Sequence, residues 1–154
     1  MRKEKKGFFI RIGIIGAAIF VTLMFFIGIH IYHGNNMSPG LRDGELIFTL
    51  KTARDYAEQV ISYKTKDGLK FGRVVGVGGD SIEITEDSYK INGCIPAEKV
   101  FYETIGNISV TVPEDHVFVL NDYRVDNSDS REYGCVPIKD IEGVVFFTMS
   151  RRGF

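Results

Sequence analysis

The sequence predicts a mainly β protein, a single N-terminal transmembrane helix followed by a small all-β domain. Residues 12–31 read IGIIGAAIFVTLMFFIGIHI, 20 residues without a charge, and about 20 are needed to cross roughly 30 Å of hydrocarbon as a helix. After Pro39 the apolar residues fall in short runs rich in Val, Ile, Phe and Tyr, cut by Gly, Asn, Asp and Pro, which is the punctuation of strands joined by turns. A length of 154 residues suits one modest domain plus an appendage, because domains usually hold about 100 to 150 residues.

Taken in order, Arg2, Lys3, Lys5, Lys6 and Arg11 form a basic flank ahead of the apolar segment, and such flanks stay in the cytoplasm. The expected division is therefore a cytoplasmic tail at 1–11, a transmembrane signal-anchor helix at 12–32 and an extracytoplasmic β domain at 33–154. A cleaved signal peptide would have a shorter apolar region, roughly 7 to 15 residues, closed by small residues; here the segment ends in His30, Ile31, Tyr32 and His33. Strands are expected at 45–50, 59–64, 69–77, 81–84, 89–91, 109–112, 117–120 and 141–149, with one helical turn at 52–58. The loop 121–134 is long, polar and charged, and loops of that kind are functional or braced by their own hydrogen bonds.

Charge narrows the partners. Five of the 19 Lys and Arg precede residue 33 but only Glu4 of the 20 Asp and Glu does, so the outer domain holds 14 cations against 19 carboxylates, a balance of about −5. Nucleic acid and anionic lipid headgroups reward clustered cations, so neither is an expected partner; a protein or peptide is. Cys94 and Cys135 are the only cysteines, and sequence leaves open whether they are bridged or two separate thiols. They form no ligand set with His30, His33 and His116, so no metal and no cofactor is expected.

Three segments carry a resemblance. Asn36-Met37-Ser38-Pro39-Gly40-Leu41 precedes Gly44-Glu45; Gly72-Arg73-Val74-Val75-Gly76-Val77-Gly78-Gly79-Asp80 is followed by Tyr89-Lys90-Ile91-Asn92-Gly93; and Asn121-Asp122-Tyr123-Arg124-Val125-Asp126-Asn127-Ser128-Asp129-Ser130-Arg131 leads to Tyr133-Gly134. In this order, behind a membrane anchor, they resemble the S-M-x-P-T-L, K-R-V-I-G-L-P-G-D and G-D-N-R-x-x-S-x-D-S-R segments of type I signal peptidases. Those are serine proteases with a serine/lysine dyad that remove signal peptides outside the cytoplasmic membrane. The resemblance implies their fold, with Arg73, Asp80, Asp129, Ser130 and Arg131 as scaffold residues.

The departures fall on chemistry. The resemblance places the family's nucleophilic serine at Asn36, its general-base lysine at Gly72 and the serine supporting that lysine at Asn127. An asparagine amide is a poor nucleophile and glycine offers no base. The sequence is accordingly expected to be a catalytically silent relative, not an enzyme, with a peptide or partner groove made by Asn36, Met37, Ser38, Pro39, Lys70 and Gly72. The resemblance further implies a chaperone-like role in Gram-positive pilus assembly, with exported proteins, pilin subunits and a sortase as partners. The alternative is an active signal peptidase or endopeptidase with a relocated Ser38/Lys70 dyad, since Lys70 and position 72 share one face of a strand.

Overall fold

The computed structural model describes residues 2–85, 89–96, 103–104 and 106–150. A helix, α1 (Arg2–Phe26), leads directly into strand β1 (Ile27–Ile31). Among the described residues no helix is long and apolar enough to cross a membrane. The expected span 12–32 is thus corrected: its last third leaves the helix because Ile27–Ile31 pairs antiparallel with β2 (Leu46–Leu50), in register from Ile27 with Leu50 to Ile31 with Leu46. What stays helical and uncharged, 12–26, covers only ~22 Å at 1.5 Å per residue.

The remaining strands are β3 (Val60–Thr65), β4 (Gly68–Val77), β5 (Ser81–Ile84), β6 (Tyr89–Ile91), β7 (Ile108–Thr111), β8 (His116–Leu120), β9 (Val136–Pro137) and β10 (Ile141–Met149). Each expected strand is present within two residues of its bounds. The helical turn expected at 52–58 is absent; the segment forms turns and irregular chain. Two short elements add to the pattern, α2 (Ser130–Tyr133) and a 3-10 turn at Ile138–Asp140.

Seven strands form one antiparallel sheet in the order β1-β2-β10-β3-β4-β8-β9, and β6-β5-β7 form a second. The large sheet curls. Three strands lie between β1 and β4 in the order, yet Phe71 of β4 packs edge-on against Tyr32 just after β1, with ring centroids 5.7 Å apart, and against His30 at 5.9 Å. Bulges on β10 at Val145/Phe147 and on β4 at Val74/Gly76 provide local bending.

Three apolar clusters result. Ile61, Tyr63, Val74, Val117 and Val119 fill one side of the large sheet, while Val75, Ile82, Ile84, Phe118 and Leu120 join the two sheets. The third, Tyr32, Met37, Leu41, Ile47 and Phe71, lies where the curl brings β1 and β4 together. Outside it, Phe48 touches Phe146 and Phe147, and with Ile29, Ile31 and Met149 these aromatics leave an exposed apolar face near the α1 junction.

Candidate functional site

The loop after β1 is fixed by burial of Met37 and Leu41. Met37 is fully buried and Leu41 nearly so, both in the third cluster, and burying such side chains contributes roughly 1.5–3 kcal/mol each. The backbone closes behind them: Leu41 N–H donates to Met37 O at 2.8 Å, and Gly44 N–H to Tyr32 O at 2.9 Å. Gly40 is required by close approach, since a Cβ there would sit 2.2 Å from the Asp122 carboxylate. That carboxylate takes a bidentate pair from Arg73, Nε to Oδ1 at 2.7 Å and Nη2 to Oδ2 at 2.8 Å. The three sequence segments therefore meet through Gly40, Arg73 and Asp122.

Asn36 stands half-buried beside this anchor. Its Oδ1 accepts the Tyr32 hydroxyl, its Nδ2 donates to Asn121 Oδ1 at 3.0 Å, and its own carbonyl takes the Tyr123 N–H at 3.0 Å. The network continues: Asn121 Nδ2 donates to Asp126 O and Ser128 Oγ, and the Ser128 hydroxyl donates to Asp126 Oδ1 at 2.7 Å. Burial raises the Tyr32 phenol above its ordinary value, which keeps it a donor to Asn36. The third segment thus joins this network through the Ser128 hydroxyl, while Asn127, the position given by the motif register, is exposed.

Below, Asp129 and Arg131 lock the long loop. Arg131 donates Nε to Asp129 Oδ1 at 2.9 Å and Nη2 to Oδ2 at 2.7 Å, with the two side chains 3% and 0% exposed. Its Nη1 reaches Arg124 O at 2.7 Å, Asp129 Oδ2 accepts the Asn121 N–H, and Ser130 Oγ accepts the Val119 N–H, both at 2.9 Å. Asp80 braces a separate turn, accepting Val77 N–H at 2.8 Å and Asn92 Nδ2 at 2.9 Å.

Position 72 holds no socket. A Cβ on Gly72 would lie 2.3 Å from Val119 Cγ1 and 3.5 Å from Tyr63, so core atoms occupy the place from which a lysine side chain would start. Two residues earlier, Lys70 has its Nζ 4.5 Å from the Tyr133 ring centre, a cation–π contact. It borders two cavities. One of about 390 Å³ lies between β1 and β4, with His30, Tyr32, His33, Asn36 and Phe71; the other, about 650 Å³, runs by Tyr63, Ser130, Tyr133 and Cys135. Burial lowers His30 below the usual imidazole value against an opposing pull from Glu142, and pushes Tyr63 up to about 12.

Of the expected groove residues, Asn36 and Lys70 share the smaller cavity. Met37 and Gly72 do not reach it, because one anchors the loop inside the core and the other lies against Val119. Ser38 is half-buried and Pro39 exposed on the same loop, joined by a cis peptide bond, and neither borders either cavity that Lys70 lines. Cys94 and Cys135 are unbridged.

The model of the family described as signal peptidase, peptidase S26, matches residues 5–150. The chain belongs to the signal peptidase family. It is 28% identical over 167 aligned positions to signal peptidase I U of Bacillus subtilis, covering 95% of this chain and 89% of that protein. With signal peptidase I of Bacillus licheniformis it shares 31% over 140 positions, 77% of this chain and 75% of the relative. The crystal structure of a signal peptidase I from Enterococcus faecalis superposes with a TM-score of 0.53 at 23% identity, covering 61% of this chain and 98% of that one, which shows the fold.

These relatives correct the expectation of a non-enzyme. Proteins named as signal peptidases match most of the chain, so membership of a peptidase family, and not the residues at 36 and 72 alone, fixes the class to which it is assigned.

Proposed function

We propose that the chain is a membrane-held endopeptidase of the signal peptidase kind, receiving an extended segment of an exported polypeptide in the cavity between β1 and β4. The observation that carries this is the meeting of the Asn36 loop and Lys70 at that cavity in a chain matched by the family model over 5–150. Among the described residues β1 is the outer strand of its sheet and pairs only with β2, so it offers backbone groups to an extended peptide. The basic flank, the apolar part of α1 and the exposed face around Phe48, Phe146 and Phe147 support a seat at the membrane surface, with the β domain outside the cytoplasm.

For the chemistry the assignment is Ser38 as nucleophile and Lys70 as base. Ser38 Oγ attacks the scissile carbonyl while its proton passes to Lys70 Nζ in its neutral form; Lys70 gives that proton to the leaving amine, then takes one from the water that attacks the acyl carbon and returns it to Ser38 Oγ as the acyl group leaves. What supports the pair is position: Ser38 lies on the loop that holds Asn36, and among the described residues the Lys70 amine meets the Tyr133 ring and no carboxylate. Ser38 borders neither cavity that Lys70 lines and no hydrogen bond joins the two among the described residues, so turnover requires the Ser38 loop to turn toward the bound peptide and Lys70 to leave the ring.

The test is cleavage of a fluorogenic Ala-X-Ala signal-peptide substrate by the full-length protein in detergent. Turnover that is lost in both Ser38→Ala and Lys70→Ala is expected. Turnover surviving Ser38→Ala would move the nucleophile elsewhere, and none from the native chain would sink the peptidase assignment. Within exported polypeptides, sortase-polymerised pilins are the partner class that the resemblance alone supports; unchanged pilus polymerisation in a strain lacking this chain would remove it.

A further inference from the structure

The cavity between β1 and β4 is bordered by one carboxamide whose orientation is set from both ends. A carboxamide has two N–H donors and two oxygen lone pairs. Asn36 uses one lone pair on the Tyr32 hydroxyl and one N–H on Asn121 Oδ1. Neither partner can exchange roles cheaply. The Tyr32 oxygen also takes the Met37 N–H at 3.0 Å, so its own proton is directed to Asn36. Asn121 has its Nδ2 on Asp126 O and Ser128 Oγ, which leaves its Oδ1 facing Asn36. Turning the Asn36 amide over would set N–H against the Tyr32 donor and oxygen against the Asn121 oxygen.

One donor and one acceptor therefore remain on a half-buried side chain that lines the cavity. That pair has the chemistry of a peptide unit, since every non-proline residue presents one N–H and one C=O. We infer that Asn36 reads the main chain of an extended peptide, its remaining N–H donating to a peptide C=O and its remaining lone pair accepting a peptide N–H. The asparagine at the family's nucleophile position then sets the register of the bound segment. This rests on the peptide-cavity reading above and adds a named atom pair to it.

The experiment is an N-methyl scan. A labelled short peptide containing Ala-X-Ala, and versions with one backbone nitrogen methylated at a time, are titrated by fluorescence anisotropy against the full-length protein in detergent. Methylation at one residue is expected to weaken binding to the native protein about three- to tenfold, as loss of one hydrogen bond does. In Asn36→Leu that penalty is expected to vanish while penalties elsewhere stay, the signature of a direct pair in a double-mutant cycle. Asn36→Ala gives the same readout should the leucine variant fail to fold, as judged by its melting curve. A penalty that survives both substitutions, or a flat scan with the peptide bound, would overturn the inference and leave the cavity reading standing. Absence of binding by the native chain would overturn both.

Discussion

The rim of the site and its centre are built on different physics. At the rim, Arg131 with Asp129 and Arg73 with Asp122 are charge-assisted bidentate pairs, and the first is almost wholly buried. At the centre, Asn36 sits in a chain of neutral hydrogen bonds and Gly72 lies under Val119. Buried ionic pairs tolerate no single substitution, because removing one partner strands the other charge. A neutral centre can change residue by residue, each step costing little more than one hydrogen bond or a shift in packing.

The contrast is sharpened first by Arg131→Ala. It leaves the Asp129 carboxylate buried without its guanidinium, and a loss of about 3–5 kcal/mol is expected in denaturant unfolding; a loss below about 1 kcal/mol would break the distinction between rim and centre. Next is the phenol that packs beneath position 72. Folded Tyr63 holds its proton to about pH 12, whereas an unfolded tyrosine releases it near pH 10. Its contribution is therefore full below about pH 10 and falls as pH rises through 12, by roughly 2–3 kcal/mol. Native protein should lose stability relative to Tyr63→Phe across that window, and parallel curves would contradict it.

Gly72→Lys tests the packed centre directly. The overlap with Val119 should cost about 1–3 kcal/mol, and adding Val119→Ala should recover part of it in spite of the cavity that alanine alone would leave. If Gly72→Lys is neutral by itself, the place is not filled as described. The smallest effect belongs to the surface. Lys64 lies against Glu142 and holds its carboxyl below the ordinary range, so the pair contributes above that range and ceases as pH falls through the lowered value. The melting temperature of Glu142→Gln should differ slightly from the native value at neutral pH and coincide with it in acid.

Much of this was legible because strand patterning is local. Runs such as Val60–Thr65 and Ile141–Met149 show β-branched and aromatic residues bounded by turns, and in Ser81–Ile84 burial alternates as the pleat requires. β1 was not legible, since IGIHI continues an apolar run and periodicity cannot separate a buried strand from a helix there; only pairing with Leu46–Leu50 decides it. The three motif segments gave the site's loops, but not the contact that matters most at its centre. Val119 comes from a strand 47 residues from Gly72, and nothing near position 72 announces it. Likewise the register of the third segment pointed to Asn127, whereas the fold turns Ser128 inward through Asp126 and Asn121.

The junction of α1 and β1 has a mechanical consequence. Phe26 ends the helix and Ile27 begins the strand with no linker between them, while the Lys51 N–H grips Phe26 O at 2.9 Å and its amine reaches Met24 O. A rod joined without a hinge transmits its tilt. Whatever surface holds α1 therefore aims the opening between β1 and β4, and ten residues after the helix ends, Asn36 is carried with it like the sight on a barrel.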